Sequence, residues 1–360
     1  MSIRVAVIGT GWWATRAHLP ALVAEPDAEI VALVDPDVDK LKCAARAFGV
    51  SRGYPDVGSL LESDAIDAAV VAVPHSLHAE VARACLAAGA HILVEKPMTV
   101  DPADAFGLLE LAAEAEREIV VGYTWHYSPQ VLEIREAIAA GRIGHVEAAS
   151  CLYASVLREL YRGRPERYRD VLGYTLNATS EATYRDTALS GGGQGQWQVT
   201  HAAALLGWLT GLEAAQVSAF TADHDVGMDL VDAISIRFDG GAIGTLASTG
   251  GVVPTQPETL EYRIFGTDGH VFFDVYAGTA SIHLADGSVE TLPELPEEER
   301  YPEWAPVQNL VAVAQGREAN GSPPLLGART VAFVDAMYRS ARDGCATRPY
   351  GYGTQAGGST

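Results

Sequence analysis

The run Arg4-Val-Ala-Val-Ile-Gly9-Thr10-Gly11-Trp12-Trp13-Ala14 constrains this chain most. It reads as a buried strand that turns sharply into a helix. Gly9 allows the tight turn, Gly11 lets another group approach the backbone, and Ala14 stands where a third glycine would keep helix and strand packed. A helix start of this kind offers backbone N–H groups to an anion such as a pyrophosphate. A second apolar strand follows, Val31-Ala-Leu-Val-Asp35-Pro-Asp37, and ends in an acid. A carboxylate at that tip accepts the hydroxyls of a ribose and repels a 2′-phosphate. Asp37 adds a second negative charge, and Lys40 is the first cation to follow. Strand, glycine turn, helix, strand and acid in this order point to a dinucleotide, NAD rather than NADP. The bland alternative is that Asp35 merely ends a strand.

The first third continues in the same alternation. Apolar runs at 3–9, 29–34, 68–73, 91–95 and 119–123 read as strands, with helical spacing between them at 37–48, 76–88 and 101–117. Strands that are apolar throughout imply a parallel sheet covered on both faces. The pattern then changes. After a helix at 129–140 come short strands at 145–155, 215–222, 230–238, 242–248, 260–266, 269–275, 280–284 and 288–292. Asp239-Gly-Gly241 and Asp286-Gly287 read as hairpin turns. Helices are expected at 201–209 and 328–342. The fold class is therefore α/β: a doubly wound Rossmann sheet followed by an α+β domain with a large, open, mostly antiparallel sheet. The expected organisation is 1–122 for dinucleotide binding, 123–345 for substrate and oligomerisation, and 346–360 as a flexible Gly-rich tail.

Composition excludes several classes. A net charge of −21 argues against a nucleic-acid surface, which needs a basic stripe. The four cysteines lie far apart without metal or redox spacing, which fits a reducing cytoplasm, and Cys43 and Cys85 fall in apolar helical patterns as small core residues. No apolar run approaches the roughly 20 residues of a membrane span. His75 and His78 are three apart at a helix start, but two histidines without a third ligand make a poor metal site. The cluster Arg158, Arg162, Arg164, Arg167 and Arg169 reads either as a solvated face balanced by Glu159, Glu166 and Asp170, or as the lining of a substrate mouth or subunit interface.

Val94-Glu95-Lys96-Pro97 ends the strand before the last crossover helix of the first domain. Side chains at such strand ends face the ligand crevice of a doubly wound sheet. A lysine there reads either as a surface residue after the strand or, partly buried beside a nicotinamide, as an amine of lowered pKa that can exchange a proton with a substrate oxygen.

These pieces together resemble the glucose–fructose oxidoreductase/inositol dehydrogenase (Gfo/Idh/MocA) family. The resemblance rests on Gly9-Thr-Gly11-Trp-Trp-Ala14, Asp35, Val73-Pro74-His75-Ser-Leu-His78, Glu95-Lys96-Pro97, Val121-Gly122-Tyr123, Gly191-Gly-Gly193 through His201, and Ala336-Met-Tyr-Arg-Ser340-Ala341. It implies an NAD(P)-dependent oxidoreductase of sugars or cyclitols, a cis Lys96–Pro97 bond, and a homodimer or homotetramer. The cofactor contacts then implied are Gly9, Thr10, Gly11, Trp12, Trp13, Ala14, Asp35, Val73, Pro74, His78, Glu95 and Lys96. Lys96 and His201 map onto the proton-transfer positions.

The chain also departs from the family pattern. Trp197 stands where an aspartate precedes the histidine by four residues. It either stacks on a sugar face or fills core. Tyr184 is the candidate replacement for the missing acid, and Gln198 or Thr200 can hydrogen-bond a hydroxyl. In Gly122-Tyr123-Thr124-Trp125-His126-Tyr127, Thr124 and His126 replace Asn and Arg. Tyr123 is expected near the nicotinamide. His126 either contacts substrate or is satisfied internally. The expected function is NAD-dependent hydride transfer at a secondary hydroxyl or ketone of a sugar, glycoside, amino sugar or cyclitol, with a polycationic aminoglycoside conceivable from the acidic charge. The rivals are an NAD-binding sensor or scaffold without turnover, and a glycosidase acting through a transiently oxidised sugar.

Overall fold

The computed structural model describes residues 2–169, 176–178 and 181–352. The chain divides into two compact units. The first comprises Met1–Thr124, Gly163–Gly191 and Glu303–Ala328; the second comprises Trp125–Arg162, Gly192–Pro302 and Arg329–Thr360.

The first unit is built on β1 (Ile3–Ile8), β2 (Ala28–Val34), β3 (Gly53–Tyr54), β4 (Ala68–Val71), β5 (His91–Val94) and β6 (Ile119–Val121). All pair in parallel, in the order β3-β2-β1-β4-β5-β6. The order reverses between β1 and β4, which makes the C-terminal ends of these strands the ligand edge. Every residue of β4 is buried, as a strand covered on both faces requires. The intervening helices have the starts and stops their sequences promise. Asp37 caps Val38–Phe48 by accepting the N–H groups of Asp39 and Lys40, and Gly49 ends it at φ 70°. Asp101 caps Pro102–Ala115 through the Ala103 N–H.

Two later segments complete this unit, which a contiguous division at residue 122 leaves out. The helix Ala305–Ala314 packs against β4, β5 and β6. It adds Val307 and Leu310 to the core of Val5, Val7, Leu33, Val70 and Leu93. The two-residue β3 has no periodicity to reveal it, since two residues cannot alternate.

The second unit carries β7 (Val146–Ala154), β8 (Ala214–Ala222), β9 (Val231–Phe238), β10 (Ile243–Thr249), β11 (Thr259–Gly266), β12 (Gly269–Asp274), β13 (Thr279–Leu284) and β14 (Val289–Thr291). Their order is β14-β13-β12-β11-β7-β10-β9-β8. β7 and β10 run parallel, and the other neighbours are antiparallel. Burial alternates strictly along β9 and β10, so one face is packed and the other open. The helix Thr200–Thr210 lies against β7 and against the helix Pro129–Ala139. Leu152, Phe220, Ile243 and Phe265 stand exposed on β7, β8, β10 and β11.

The segment expected to be a loose tail is tied down at its start. Thr347 and Val217 exchange two backbone hydrogen bonds of 2.8 Å, which adds a bridge to β8. The remainder of that tail, from residue 353, lies outside the described residues, as does Asp170 of the arginine-rich segment. Cys43 is half-buried rather than core, whereas burial pushes the Cys85 thiol up to about 12. No described helix is long and apolar enough to cross a membrane.

Candidate active site

The glycine turn separates two reasons for having glycine. Gly9 sits at φ 92°, and a Cβ there would lie 2.4 Å from the Ala72 carbonyl oxygen, so the fold itself demands it. A Cβ on Gly11 would meet nothing within 4 Å, and its φ is not left-handed. The protein's own packing gives no reason for Gly11, whereas a pyrophosphate against the helix start does. The turn leads into a wide π turn over Ala14–His18 and then the helix Leu19–Ala24. Ala14 is 1% exposed and belongs to the core. These residues fit a bound dinucleotide.

Asp35 follows β2, with relative exposure of 9%. One oxygen accepts both the N–H and the hydroxyl of Thr10 at 2.8 Å, and the other accepts the Asp37 N–H at 2.8 Å. The carboxylate thus fastens the strand tip to the glycine turn. Each carboxylate oxygen has two lone pairs, so Oδ1 keeps capacity for a ribose hydroxyl. Asn177, which the sequence did not single out, supports the same turn by donating to the Thr10 carbonyl at 2.7 Å.

Val73 and Pro74 follow β4, and His75–Leu77 forms a single 3-10 turn before the helix His78–Ala87. His78 is expected to be structural or beside the cofactor, and its ring faces backbone on both sides. Nδ1 is 2.8 Å from the Pro97 carbonyl oxygen and Nε2 is 2.9 Å from that of Val73. Burial lowers its pKa, and the two carbonyls oppose this. His78 is therefore a brace between two loops at the ligand edge. His75 Nδ1 is 2.9 Å from the Ser190 carbonyl oxygen. No group of three His, Cys, Asp or Glu side chains is arranged for a metal among the described residues.

Lys96 leaves β5 with a cis bond to Pro97. Burial pulls its amine down to about 8, against the attraction of Glu95. An amine in that range can either accept or deliver a proton near neutral pH. Tyr123 is 2% exposed just past β6, and Tyr184 is 7% exposed on the short helix Glu181–Arg185.

In the second unit, the π turn Gly195–Val199 and the helix Thr200–Thr210 carry Trp197, Gln198, Thr200 and His201. Gln198 is half-buried, while Trp197 and His201 are buried. The His201 ring meets Trp125 edge-on at 5.1 Å. Trp125 in turn contacts Tyr301 at 4.9 Å and Tyr276 at 5.4 Å, an aromatic cluster that spacing along the sequence does not reveal. His126 takes the internal alternative. Its ring stacks on Trp208 at 4.8 Å and 5°, with the Arg135 guanidinium 4.0 Å from the indole centre on the same residue. Burial first, and Arg135 second, pull its pKa down to about 3, so it is a neutral packed ring.

The glycine-rich approach to this helix wraps around one carboxylate. Asp229 accepts the N–H groups of Gly193 at 2.8 Å and Gly195 at 2.7 Å, and the Tyr338 hydroxyl at 3.0 Å. A Cβ on Gly192 or Gly195 would come within 2.3 Å or 2.6 Å of the Tyr338 hydroxyl oxygen. The glycines are needed because Tyr338, from the helix Pro324–Asp343, occupies that space.

Comparison with known proteins extends this description. The family model of the oxidoreductase family with an NAD-binding Rossmann fold (Gfo/Idh/MocA) matches residues 3–123, and that of the Gfo/Idh/MocA C-terminal domain matches 131–272. A dTDP-3,4-didehydro-2,6-dideoxy-alpha-D-glucose 3-reductase of Actinomadura kijaniata is 37% identical over 148 residues, 41% of this chain and 44% of that protein. The chain thus spans less than half the length of the first curated relatives it matches. An oxidoreductase domain protein from Kribbella flavida superposes with a TM-score of 0.83 at 21% identity, covering 97% of this chain and 99% of that one. GenD2 from gentamicin A biosynthesis, solved in complex with NAD, has a TM-score of 0.79 at 25% identity and 96% coverage of each chain. Two models of one family match in order along one chain, over both units: the protein belongs to the Gfo/Idh/MocA oxidoreductases.

Proposed function

We propose that this chain is an NAD-dependent dehydrogenase acting on a secondary hydroxyl, or the matching ketone, of a sugar, glycoside, amino sugar or cyclitol. The observation that carries the reading is Lys96. Its amine leaves the ligand edge of the same parallel sheet as the glycine turn and Asp35, with its pKa brought down to about 8 by burial. A bound nicotinamide supplies the hydride acceptor or donor. Gly11 leaves room for the pyrophosphate, and Asp35 takes the adenosine ribose and repels a 2′-phosphate. We assign Lys96, and His201 by its family position, to holding and moving the hydroxyl proton. Trp197 replaces the family's carboxylate, so substrate orientation falls to hydrogen bonds from groups such as Gln198 and to aromatic surface. The net charge of −21 and the likeness to GenD2 favour a cationic amino sugar within this class.

Incubating the purified chain with NAD and a panel of sugars, glycosides, amino sugars and cyclitols, while following reduced-cofactor absorbance, tests the reading. Turnover on a panel member supports it. Tight NAD binding with no turnover favours a sensor or scaffold, and aglycone release without net cofactor change favours a redox-assisted glycosidase. We further place the chain in the cytoplasm as a homodimer or homotetramer paired through the open sheet face of Leu152, Phe220, Ile243 and Phe265. Light scattering on the purified protein checks the assembly; a monomer at micromolar concentration refutes it.

A further inference from the structure

The glutamate before Lys96 is expected among the cofactor contacts. Its carboxylate turns into the protein instead. Oε1 accepts the indole N–H of Trp13 at 2.8 Å and faces Nε2 of His18 at 2.9 Å. Oε2 accepts the Lys96 backbone N–H at 3.2 Å. Gly122 lies against the same group, and a Cβ there would stand 2.8 Å from Oε1. Trp13 and His18 belong to the turn after β1, Glu95 leaves β5, and Gly122 leaves β6. One carboxylate therefore links the ends of β1 and β5 along the ligand edge, and its place against Gly122 explains why that position after β6 is glycine.

The partners leave little freedom in this arrangement. His18 is 1% exposed in its side chain and Glu95 is 13% exposed. The Trp13 and His18 rings meet edge-on at 6.3 Å. His18 Nδ1 has no partner among the described residues, so the contact that orients its ring is the one to Glu95.

We propose that Glu95 is a positioning residue for Lys96: clamped by Trp13 and His18, it fixes where the lysine is presented and supplies the negative charge that holds its proton. Among the groups that interact electrostatically with the amine are three titratable ones of this unit. Glu95 is the anion. His75 and His78 are the other two, and burial first, with the charge of Lys96 adding to it, lowers both imidazoles. For Glu95 itself, burial works against ionisation, but the hydrogen bond and charge of His18 and the charge of Lys96 bring its carboxyl below the ordinary range. An ionised Glu95 opposes the burial that draws protons off Lys96. Neutralising Glu95 removes that opposing charge, so that burial lowers the amine further.

The inference rests on Lys96 being the proton-transfer group of the proposed dehydrogenase, and its test is separable from that reading. Trace labelling of the Lys96 amine with acetic anhydride across a pH series, on the full chain without substrate, reads its titration directly. Glu95→Gln keeps the shape and removes the charge. Its labelling midpoint should fall by about one pH unit or more from a wild-type value near 8. An unchanged midpoint overturns the proposal. Glu95→Asp keeps the charge but withdraws it from Trp13 and His18. It should hold the midpoint near the wild-type value while kcat drops about tenfold or more with KM little changed. A wild-type kcat in Glu95→Asp overturns the positioning half, and this variant decides if Glu95→Gln does not fold. A labelling midpoint that moves while the pH profile of kcat/KM stays fixed upholds Glu95 and refutes the role of Lys96 in proton transfer.

Discussion

Replacing Asp232 by asparagine tests how charge is divided in the buried carboxyl pair of the second unit. Asp229 accepts hydrogen bonds from two backbone N–H groups and the Tyr338 hydroxyl, all of which favour its ionised form. Asp232 is 1% exposed on β9, and neither of its oxygens has a partner among the described residues. Burial, and then the charge of Asp229, push its carboxyl well above the usual range. Burial raises Asp229 too, but its three donors pull against that. Interacting carboxyls titrate as a pair. The hydrogen bonds favour placing the pair's negative charge on Asp229, while burial and that charge favour the protonated form of Asp232.

Asparagine at 232 keeps both shape and neutrality. The unfolding free energy of Asp232→Asn should therefore stay within about 1 kcal/mol of wild type at about pH 4, where ionising Asp232 in the unfolded chain still contributes little. Asp229→Asn is the contrast. It turns one acceptor into a donor facing a backbone N–H, and a buried N–H left unpaired costs about 1–3 kcal/mol. Relief of the buried charge offsets part of this, so the net loss should be about 1–2 kcal/mol. The pH dependence has a definite sign. A carboxyl whose folded pKa is raised contributes its full stability below the unfolded pKa, and loses it as pH rises through the folded value. Asp232→Asn escapes that loss, so it should gain on wild type as pH rises from about 4, the unfolded value, toward the raised folded value. Urea unfolding of the full chain by circular dichroism reads both, with each transition fitted separately because two units need not unfold together. A cost for Asp232→Asn above about 2 kcal/mol at pH 7, or a gap that does not change with pH, refutes the assignment.

Lys96→Ala should lower turnover about 10²–10⁴-fold with NAD affinity nearly intact, and the wild-type rate of alcohol oxidation should rise as pH passes through about 8; steady-state kinetics and NAD titration check both, and equal turnover refutes the assignment. Asp35→Ser should narrow the NAD over NADP preference about tenfold or more and also lower stability by about 1–3 kcal/mol, because it releases Thr10. An unchanged cofactor ratio counts against the ribose contact. Gly9→Ala should unfold the chain or cost more than about 3 kcal/mol, through a left-handed φ and the close Ala72 oxygen, whereas Gly11→Ala should leave stability within about 1 kcal/mol and weaken NAD binding about tenfold or more. Calorimetry of both variants separates these; loss of fold in Gly11→Ala refutes a ligand-based reason for that glycine.

The parts of the fold legible in the sequence were those set by local chemistry. Apolar runs with capped helices between them gave the parallel sheet, and Asp37, Gly49 and Asp101 marked helix ends that the structure places within a residue or two. Alternation and the glycine turns at 240–241 and 287 gave the hairpins. What stayed hidden depends on partners distant in sequence. The apolar stripe of Ala305–Ala314 says that the helix packs on something, not that it returns to β4, β5 and β6. The parallel pairing of β7 with β10 has no local signature either, because period-two burial is the same for both directions. Among site residues, His126 and Trp208 are far apart in the chain, so the stack between their rings was invisible. Asp229 gave no signal beside the glycine run, although Gly193 and Gly195 are shaped around it and Tyr338.

The residues that make a ligand motif recognisable need not all be there for the ligand. Parallel strands end in loops whose polar groups, backbone and side chain alike, need partners when buried. Asp35, His78 and Glu95 all supply such partners here: to Thr10 and Asp37, to Val73 and Pro97, and to Trp13, His18 and the Lys96 backbone N–H. A chain that bound no nucleotide would still need those contacts to keep its strand ends together. Gly9 is likewise fixed by the Ala72 carbonyl. Gly11 is different, since nothing in its surroundings or its backbone angle calls for a missing side chain. Lys96 is different too, because burial works against the charge of its amine. The case for a bound dinucleotide therefore leans on Gly11, and the case for turnover on Lys96. Variants at those two positions discriminate function from architecture better than variants at the more conspicuous acids and histidines around them.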